Sequence, residues 1–139
     1  MVSKIRHTGI PVRDLDESLH FYTNLGFKVV GDESESGKFI DDILGFAECK
    51  VRTVKMVCST GGMVELLYYD NPKSIFSARR INAIGCGHLA VTVDDVESLY
   101  KDLTTRGIKF IGSPASNGKV KVVFCLDPNG FYLELVEEL

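Results

Sequence analysis

The fold is decided by the stretch His7-Thr-Gly-Ile-Pro-Val-Arg-Asp-Leu15, because its pattern returns as His88-Leu-Ala-Val-Thr-Val-Asp-Asp-Val96. A second stretch, Gly26-Phe-Lys-Val-Val-Gly31, returns as Gly107-Ile-Lys-Phe-Ile-Gly112. Both repeats lie at the same offset of 81 positions, as from residue 7 to residue 88. Self-similarity at a fixed offset indicates a duplicated structural unit.

The first copy has the residue pattern of one strand, one helix and three further strands. The polar stretch after the second strand reads as a loop, and a glycine falls where the helix should stop. The predicted order is a strand over Lys4–Val12, a helix from Asp14 or Asp16 to Gly26, a short strand over Phe27–Val30, a loop over Gly31–Lys38, and strands near Lys50–Cys58 and Met63–Tyr69.

The second copy predicts the same order of elements. Its last two strands surround Asp127-Pro-Asn-Gly130, which is a strong turn signal. The predicted elements are strand Gly87–Val93, a helix from Asp94 or Asp95 to Arg106, and strands Lys109–Ile111, Lys119–Leu126 and Phe131–Val136.

These patterns predict an α+β fold made of two tandem β-α-β-β-β modules that form a curved mixed sheet. The first module covers residues 1–71, a connector covers 72–84, and the second module covers 85–139. The first module is longer than the second in residues 32–49, where a short amphipathic helix or flap is expected.

The duplication places one histidine and one glutamate at matching points of each module. Side chains alternate between the two faces of a strand, so His7 and His88 face away from the aliphatic residues under the helices. Glu65 and Glu134 lie among apolar neighbours and share that opposite face. A charged carboxylate there is costly without a partner, and a divalent cation would supply one. The four side chains therefore predict a metal site inside a cavity.

The donor chemistry narrows the choice of metal. Two imidazole nitrogens and two carboxylate oxygens suit one divalent first-row transition metal, Ni, Co, Zn, Mn or Fe, better than Ca or Mg. Four protein ligands would leave two octahedral positions for waters or for two oxygens of a substrate.

Composition excludes several classes of protein. The 139 residues carry a formal charge of −3 with scattered basic residues, so no nucleic-acid partner is expected. No apolar run approaches the ~20 residues of a membrane span, and no secretory signal is visible. The four cysteines include no C-x-x-C pair, which favours the cytoplasm.

The chain resembles the vicinal oxygen chelate superfamily, the group of glyoxalases, bleomycin-resistance proteins and extradiol dioxygenases. The resemblance covers nearly the whole chain. It is carried by His7-x-Gly-Ile-x-Val-x-Asp-Leu-Asp-x-Ser-Leu-x-Phe-Tyr-x-x-Leu-Gly-Phe27, Val64-Glu-Leu66, Gly87-His-Leu-Ala-Val-x-Val-Asp-Asp95 and Asp127-Pro-Asn-Gly-x-x-x-Glu-Leu135.

The order His7, Glu65, His88, Glu134 is similar to that of the metal ligands of bacterial glyoxalase I. The resemblance implies a metal-dependent lyase or isomerase that acts through a metal-bound enediolate on a small substrate with vicinal oxygens. Glu134, with Glu65 as its partner, would transfer the proton. Small members of the group pair, so a homodimer is expected. The modules could meet within one chain or between two chains.

Two positions depart from the glutathione-using members of the group. Pro11 and Tyr69 stand where those members carry an arginine and an asparagine, so the anchors for the glutathione carboxylates are missing. Another thiol adduct, or a 2-oxo or 2-hydroxy compound, is an equal candidate substrate. Arg52 and Lys55 fall on opposite faces of one strand, so at most one of them can face the cavity.

Three alternatives remain within the resemblance. An extradiol dioxygenase would use two histidines and one carboxylate on iron, and Glu65 would crowd its open positions. A methylmalonyl-CoA-type epimerase would carry glutamine at the second ligand position and a histidine before the third, where this chain has Glu65 and Cys86-Gly87. A drug-binding resistance protein would need no metal, and both the absence of tryptophan and the intact ligand set argue against it.

Overall fold

The computed structural model describes all 139 residues, which fall into two units, Met1–Phe76 and Ser77–Leu139. Eight strands and three helices make up the two units. In chain order they are β1 (Thr8–Pro11), α1 (Leu15–Asn24), β2 (Lys28–Ser36), α2 (Lys38–Leu44), β3 (Lys50–Val57), β4 (Met63–Asn71), β5 (His88–Thr92), α3 (Val96–Thr105), β6 (Ala115–Ser116), β7 (Val120–Leu126) and β8 (Tyr132–Glu138).

Each unit contains one four-stranded mixed sheet with the same connectivity. The strand order is β1-β4-β3-β2 in the first unit and β5-β8-β7-β6 in the second. The first strand of each unit pairs in parallel with the last, and the remaining pairs are antiparallel. Two parallel strands need a long crossover connection, and this connection begins with α1 in the first unit and with α3 in the second. The α+β class with two tandem β-α-β-β-β modules is therefore confirmed.

Both main helices begin and end as the sequence predicts. Asp14 caps α1 by accepting a hydrogen bond from the amide of Glu17, and Asp95 does the same for α3. Gly26 and Gly107 follow the helices with φ angles of 92° and 81°. Side chains rarely adopt this left-handed conformation, so glycine suits the position after a helix.

The core of each unit lies on the face of the sheet that the helix covers. In the first unit, α1 contributes Phe21 and Tyr22, whose rings meet edge to face 5.2 Å apart. Alternate strand residues on that face are almost fully buried, namely Ile10, Val54, Met56, Val64 and Leu66 in the first unit and Val123, Cys125, Leu133 and Leu135 in the second. Period-2 alternation therefore decides which face is the core.

Two predicted boundaries in the first unit were wrong. β1 begins at Thr8 rather than Lys4, because its partner β4 starts at Met63 and offers no backbone to earlier residues. The predicted loop over Gly31–Lys38 is mostly strand, since β2 stays paired with β3 as far as Ser36. From Gly31 to Ser36 this edge strand is largely exposed and carries no apolar side chain, so its sequence looks like that of a loop.

The same kind of error occurs in the second unit. The predicted strand over Lys109–Ile111 reduces to one bridge between Phe110 and Cys125, and the edge of the sheet is the two-residue strand β6. In the first unit, the expected short helix within residues 32–49 is α2.

Candidate functional site

The first candidate pair joins His7 to Glu65. His7 immediately precedes β1, and Glu65 lies in β4 opposite Gly9. The distance from His7 Nε2 to Glu65 Oε1 is 3.5 Å. The Glu65 side chain is 12% exposed and stands between two buried residues of the core face, Val64 and Leu66. A partly buried carboxylate therefore faces an imidazole on the side of the sheet away from α1.

The second unit repeats this arrangement. His88 begins β5, and Glu134 lies in β8 opposite Ala90. His88 Nε2 and Glu134 Oε2 are 3.1 Å apart, which is hydrogen-bond distance. The Glu134 side chain is 24% exposed and lies between the buried Leu133 and Leu135. In both units the histidine is two residues before the position that pairs with the glutamate.

The structure thus joins the four predicted ligands into two pairs, one in each unit. Within either unit, no group of three or more His, Cys, Asp or Glu side chains is arranged to hold a metal ion. Each unit therefore offers two donors, an imidazole nitrogen and a carboxylate oxygen.

A cation stands beside the first pair. Lys55 of β3 lies directly opposite Glu65 of β4, and its Nζ is 3.9 Å from Glu65 Oε2. Arg52 lies on the other face and donates two hydrogen bonds, of 2.8 and 2.7 Å, to the Asp32 carboxylate. These bonds to Arg52 lower the pKa of Asp32 below its usual value. Lys55 is therefore the basic residue of this strand that shares a face with Glu65.

Sequence reasoning missed the contact between Lys55 and Glu65, although the signal was present. The turn at residues 58–62 pairs Val57 with Met63. From this pair, two residues back along β3 is Lys55 and two residues forward along β4 is Glu65, so the two must lie opposite each other. The hairpin register thus contained the contact.

The equivalent position in the second unit holds an aromatic ring instead of a cation. Phe124 of β7 lies opposite Glu134, as Lys55 lies opposite Glu65. The Phe124 ring meets the His88 imidazole edge to face, with centroids 5.3 Å apart. The two pairs are therefore equivalent in backbone position and unequal in their neighbours.

The α2 segment covers the far end of β4 on the face that carries Glu65. Ile40 of α2 is buried with Cys49 and Val51, and Leu67 and Tyr69 pack against this cluster. Burial is the main cause that raises the pKa of the Tyr69 hydroxyl, with smaller contributions from Cys49 and Glu65. Residues 38–51 therefore wall one end of the candidate site.

A cleft of about 570 Å³ lies elsewhere in the first unit. It is open and lined mostly by charged side chains of both signs near the start of α1, including Arg13, Asp16, Arg52 and Asp70. Neither His7 nor Glu65 lines it. The cleft lacks the chemistry of the paired histidines and glutamates, so we do not assign the activity to it.

Comparisons with known proteins point to one superfamily. The family model described as the glyoxalase/bleomycin resistance protein/dioxygenase superfamily matches residues 4–135. The chain is 33% identical to lactoylglutathione lyase of Schizosaccharomyces pombe over 97% of its own length and 47% of that protein. It is 28% identical to the probable lactoylglutathione lyase of Vibrio cholerae, over 96% and 90% of the two chains.

The solved structures agree on the fold. A glyoxalase family protein from Bacillus cereus superimposes with a TM-score of 0.93 at 22% identity, over 100% of this chain and 96% of that one. The chain spans about half the length of the S. pombe enzyme. None of its three helices is both long and apolar enough to cross a membrane.

Proposed function

Because the chain belongs to the glyoxalase/bleomycin resistance protein/dioxygenase superfamily, we propose that it is a metal-dependent lyase or isomerase of the glyoxalase type. The relatives named lactoylglutathione lyase support a glyoxalase-type lyase. The observation that carries the proposal is the pair of histidine and glutamate side chains that recurs at equivalent positions of the two units.

The two pairs fit the requirements of a divalent cation. Glu65 and Glu134 are carboxylates among buried aliphatic neighbours, and each has an imidazole nitrogen within 3.5 Å of an oxygen. Such carboxylates are stabilised by a positive partner. We propose that His7, Glu65, His88 and Glu134 hold one divalent first-row metal ion, with nickel, cobalt, zinc, manganese and iron as candidates. When bound, the ion would supply Lewis acidity to the oxygens of the substrate.

The contacts of the two glutamates support different proposed roles. Glu65 is approached by His7 on one oxygen and by Lys55 on the other. Glu134 contacts His88 alone among charged or ionisable side chains. We propose that Glu134, the more exposed of the two carboxylates and the one without a neighbouring ammonium, accepts a proton from a carbon next to a carbonyl and returns it to the neighbouring carbon through an enediolate. Glu65 acts as its partner. Proton transfer by a placed carboxylate accelerates such steps by about 10²–10⁴-fold.

The proposed substrate is a small molecule with two neighbouring oxygens. Relatives named lactoylglutathione lyase make the hemithioacetal of methylglyoxal and glutathione the first compound to assay. Pro11 and Tyr69 lack the charge and amide groups that would anchor glutathione, and Tyr69 is packed against α2. Hemithioacetals of smaller thiols are therefore expected to be equal or better substrates.

Metal content tests the proposal directly. Wild-type protein should purify with, or take up, a stoichiometric divalent ion measured by mass spectrometry, and His7→Ala and His88→Ala should each lose it. His20→Ala is the matched control, since this exposed histidine on α1 belongs to neither pair. Retention of the metal by both His7→Ala and His88→Ala would refute the ligand set.

Activity tests the reaction. Chelator-treated protein should lose isomerisation of methylglyoxal hemithioacetals and regain it when Ni²⁺, Co²⁺, Zn²⁺, Mn²⁺ or Fe²⁺ is added back. Oxygen uptake with catechol should be absent. Catechol-dependent oxygen uptake by the iron-loaded protein, without hemithioacetal turnover, would favour a dioxygenase instead.

A further inference from the structure

We propose that Lys55 selects substrates that carry an anionic group, a carboxylate or a phosphoryl group, next to the two chelating oxygens. This inference rests on the proposed function and names the substrate class of the same site. It depends on three observations: the position of Lys55 in the sheet, the long distance from its ammonium to the nearest carboxylate oxygen, and the residue at the equivalent position of the second unit.

The position of Lys55 is fixed by the sheet. It pairs with Glu65 on one side and with Gly31 of β2 on the other. A Cβ at Gly31 would lie 3.8 Å from the Cβ and Cδ atoms of Lys55. The stem of the lysine therefore runs beside the place where a β2 side chain would stand, and its ammonium reaches the face that carries Glu65. The Lys55 side chain is 40% exposed, so a ligand can approach it.

The ammonium of Lys55 has no close partner. Its distance to Glu65 Oε2 is 3.9 Å, beyond the 2.7–3.2 Å of a hydrogen bond. Lys38 and Lys73, in contrast, reach their carboxylates at 2.7 and 2.8 Å. If Glu65 binds a divalent ion, its charge is shared with that ion, and a second cation remains beside it. An anionic group on the substrate would satisfy this ammonium.

The second unit has no cation at the position equivalent to Lys55. At the position equivalent to Lys55 it carries Phe124, whose ring packs against His88. The cation is therefore a feature of the first unit and is not repeated with the backbone.

Binding of three chelators to nickel-loaded protein tests the proposal by calorimetry. Acetohydroxamate chelates without a charged substituent, malonomonohydroxamate adds a carboxylate, and phosphonoacetohydroxamate adds a phosphonate. Wild-type protein should prefer one or both anionic probes, and the comparison between them shows which anion Lys55 accepts. In Lys55→Met the ratio of the affinity for the anionic probe to that for acetohydroxamate should fall roughly tenfold or more, while the affinity for acetohydroxamate itself stays the same.

Three further measurements separate selection from structural damage. Lys55→Arg should retain the preference, and Arg52→Met, which removes a cation from the opposite face of the same strand, should not affect it. Ni²⁺ alone should bind Lys55→Met at least as tightly as wild type, because two neighbouring cations repel. A tenfold weaker affinity for Ni²⁺ would instead make Lys55 an organiser of Glu65 and overturn the proposal.

The remaining outcomes are also decisive. Failure of acetohydroxamate to bind nickel-loaded wild-type protein would refute the proposed function, and the role of Lys55 with it. Binding of acetohydroxamate with an unchanged anionic preference in Lys55→Met would overturn the role of Lys55 alone.

Discussion

Glu65 and Glu134 show how the chemistry of a residue depends on the residue across the strand. They occupy equivalent positions of the repeat and each meets a histidine, yet one faces the ammonium of Lys55 and the other faces Phe124. Duplication supplies equal backbones, and single substitutions on the neighbouring strand then make the two sites different. Differences between the glutamates should therefore be measurable by equal substitutions at each.

Replacing Glu134 with glutamine should reduce turnover by about 10²–10⁴-fold, because an amide cannot accept the proton. Rates with methylglyoxal hemithioacetals measure the effect. Glu138→Gln is the control, since this exposed residue at the end of β8 undergoes the same change of charge without entering the site. A Glu134→Gln protein with the wild-type rate would exclude Glu134 as the base.

Cysteine reactivity should follow the surroundings of each thiol. A hydrogen bond with Thr60 is the main cause that lowers the pKa of Cys58, whereas burial raises the pKa of Cys125 to about 12. Thiolate is the reactive form, so the thiol with the lower pKa reacts at lower pH. At pH 8 iodoacetamide should label Cys58 well before Cys125, as followed by peptide mass mapping. Equal labelling rates would contradict this assignment.

At the scale of elements, α2 is a short helix held by one buried side chain and by the Asp41 carboxylate, which accepts hydrogen bonds from the amides of Glu48 and Cys49. Ile40 is 6% exposed, and Phe39 and Ile43 on the same helix are open to solvent. Gly37 precedes the helix without a side-chain cap, and seven residues form too short a helix to be stable alone. Packing through Ile40 therefore contributes to keeping α2 on the sheet.

Ile40→Ala should destabilise the first unit by about 2–4 kcal/mol, because it leaves a cavity beside Cys49 and Val51. Denaturant unfolding measures the loss, and amide exchange should rise first in residues 38–44. Ile43→Ala is the matched control, since Ile43 is 59% exposed and should cost little. Equal losses for the two variants would show that α2 is anchored elsewhere.

At the scale of the whole molecule, several large apolar side chains remain exposed. Phe39 and Phe46 lie in or after α2, and Ile75, Phe76 and Ile84 lie between β4 and β5. Apolar patches of more than a few hundred Å² on a protein surface often mark a contact with another chain. We propose that Ile75 and Phe76 contribute to such a contact and that the protein is a homodimer.

Light scattering at micromolar concentration should give twice the 15.4 kDa mass of the chain. Replacing Ile75 and Phe76 by serine should shift the protein toward monomer, because it removes apolar area from the contact. Lys28→Ser and Lys101→Ser provide a control pair of exposed positions. A monomer across the whole concentration range would refute the dimer.

The sequence predicted the order of strands and helices because the alternating pattern of each buried strand occurs in both copies of the repeat. Strands with one buried face, such as β4 and β8, were recognised from alternation, and the helix ends from Asp14, Gly26 and Gly107. The end of β2 and the position of β6 were predicted wrongly, since pairing with a neighbour, rather than any pattern of their own residues, makes these segments strands. The pairing of each histidine with its glutamate followed from the repeat, while Lys55 required the hairpin register.

Those edge strands have a consequence for assembly. β2 carries Asp32, Glu33 and Glu35 on its open edge, β6 offers two residues, and Pro11 removes one donor from β1. Charges, shortness and proline all discourage a neighbouring backbone from adding itself to a sheet. Ladder growth from these three edges should therefore be disfavoured even in concentrated solution, and copies of the protein that meet there should associate through side-chain surfaces instead.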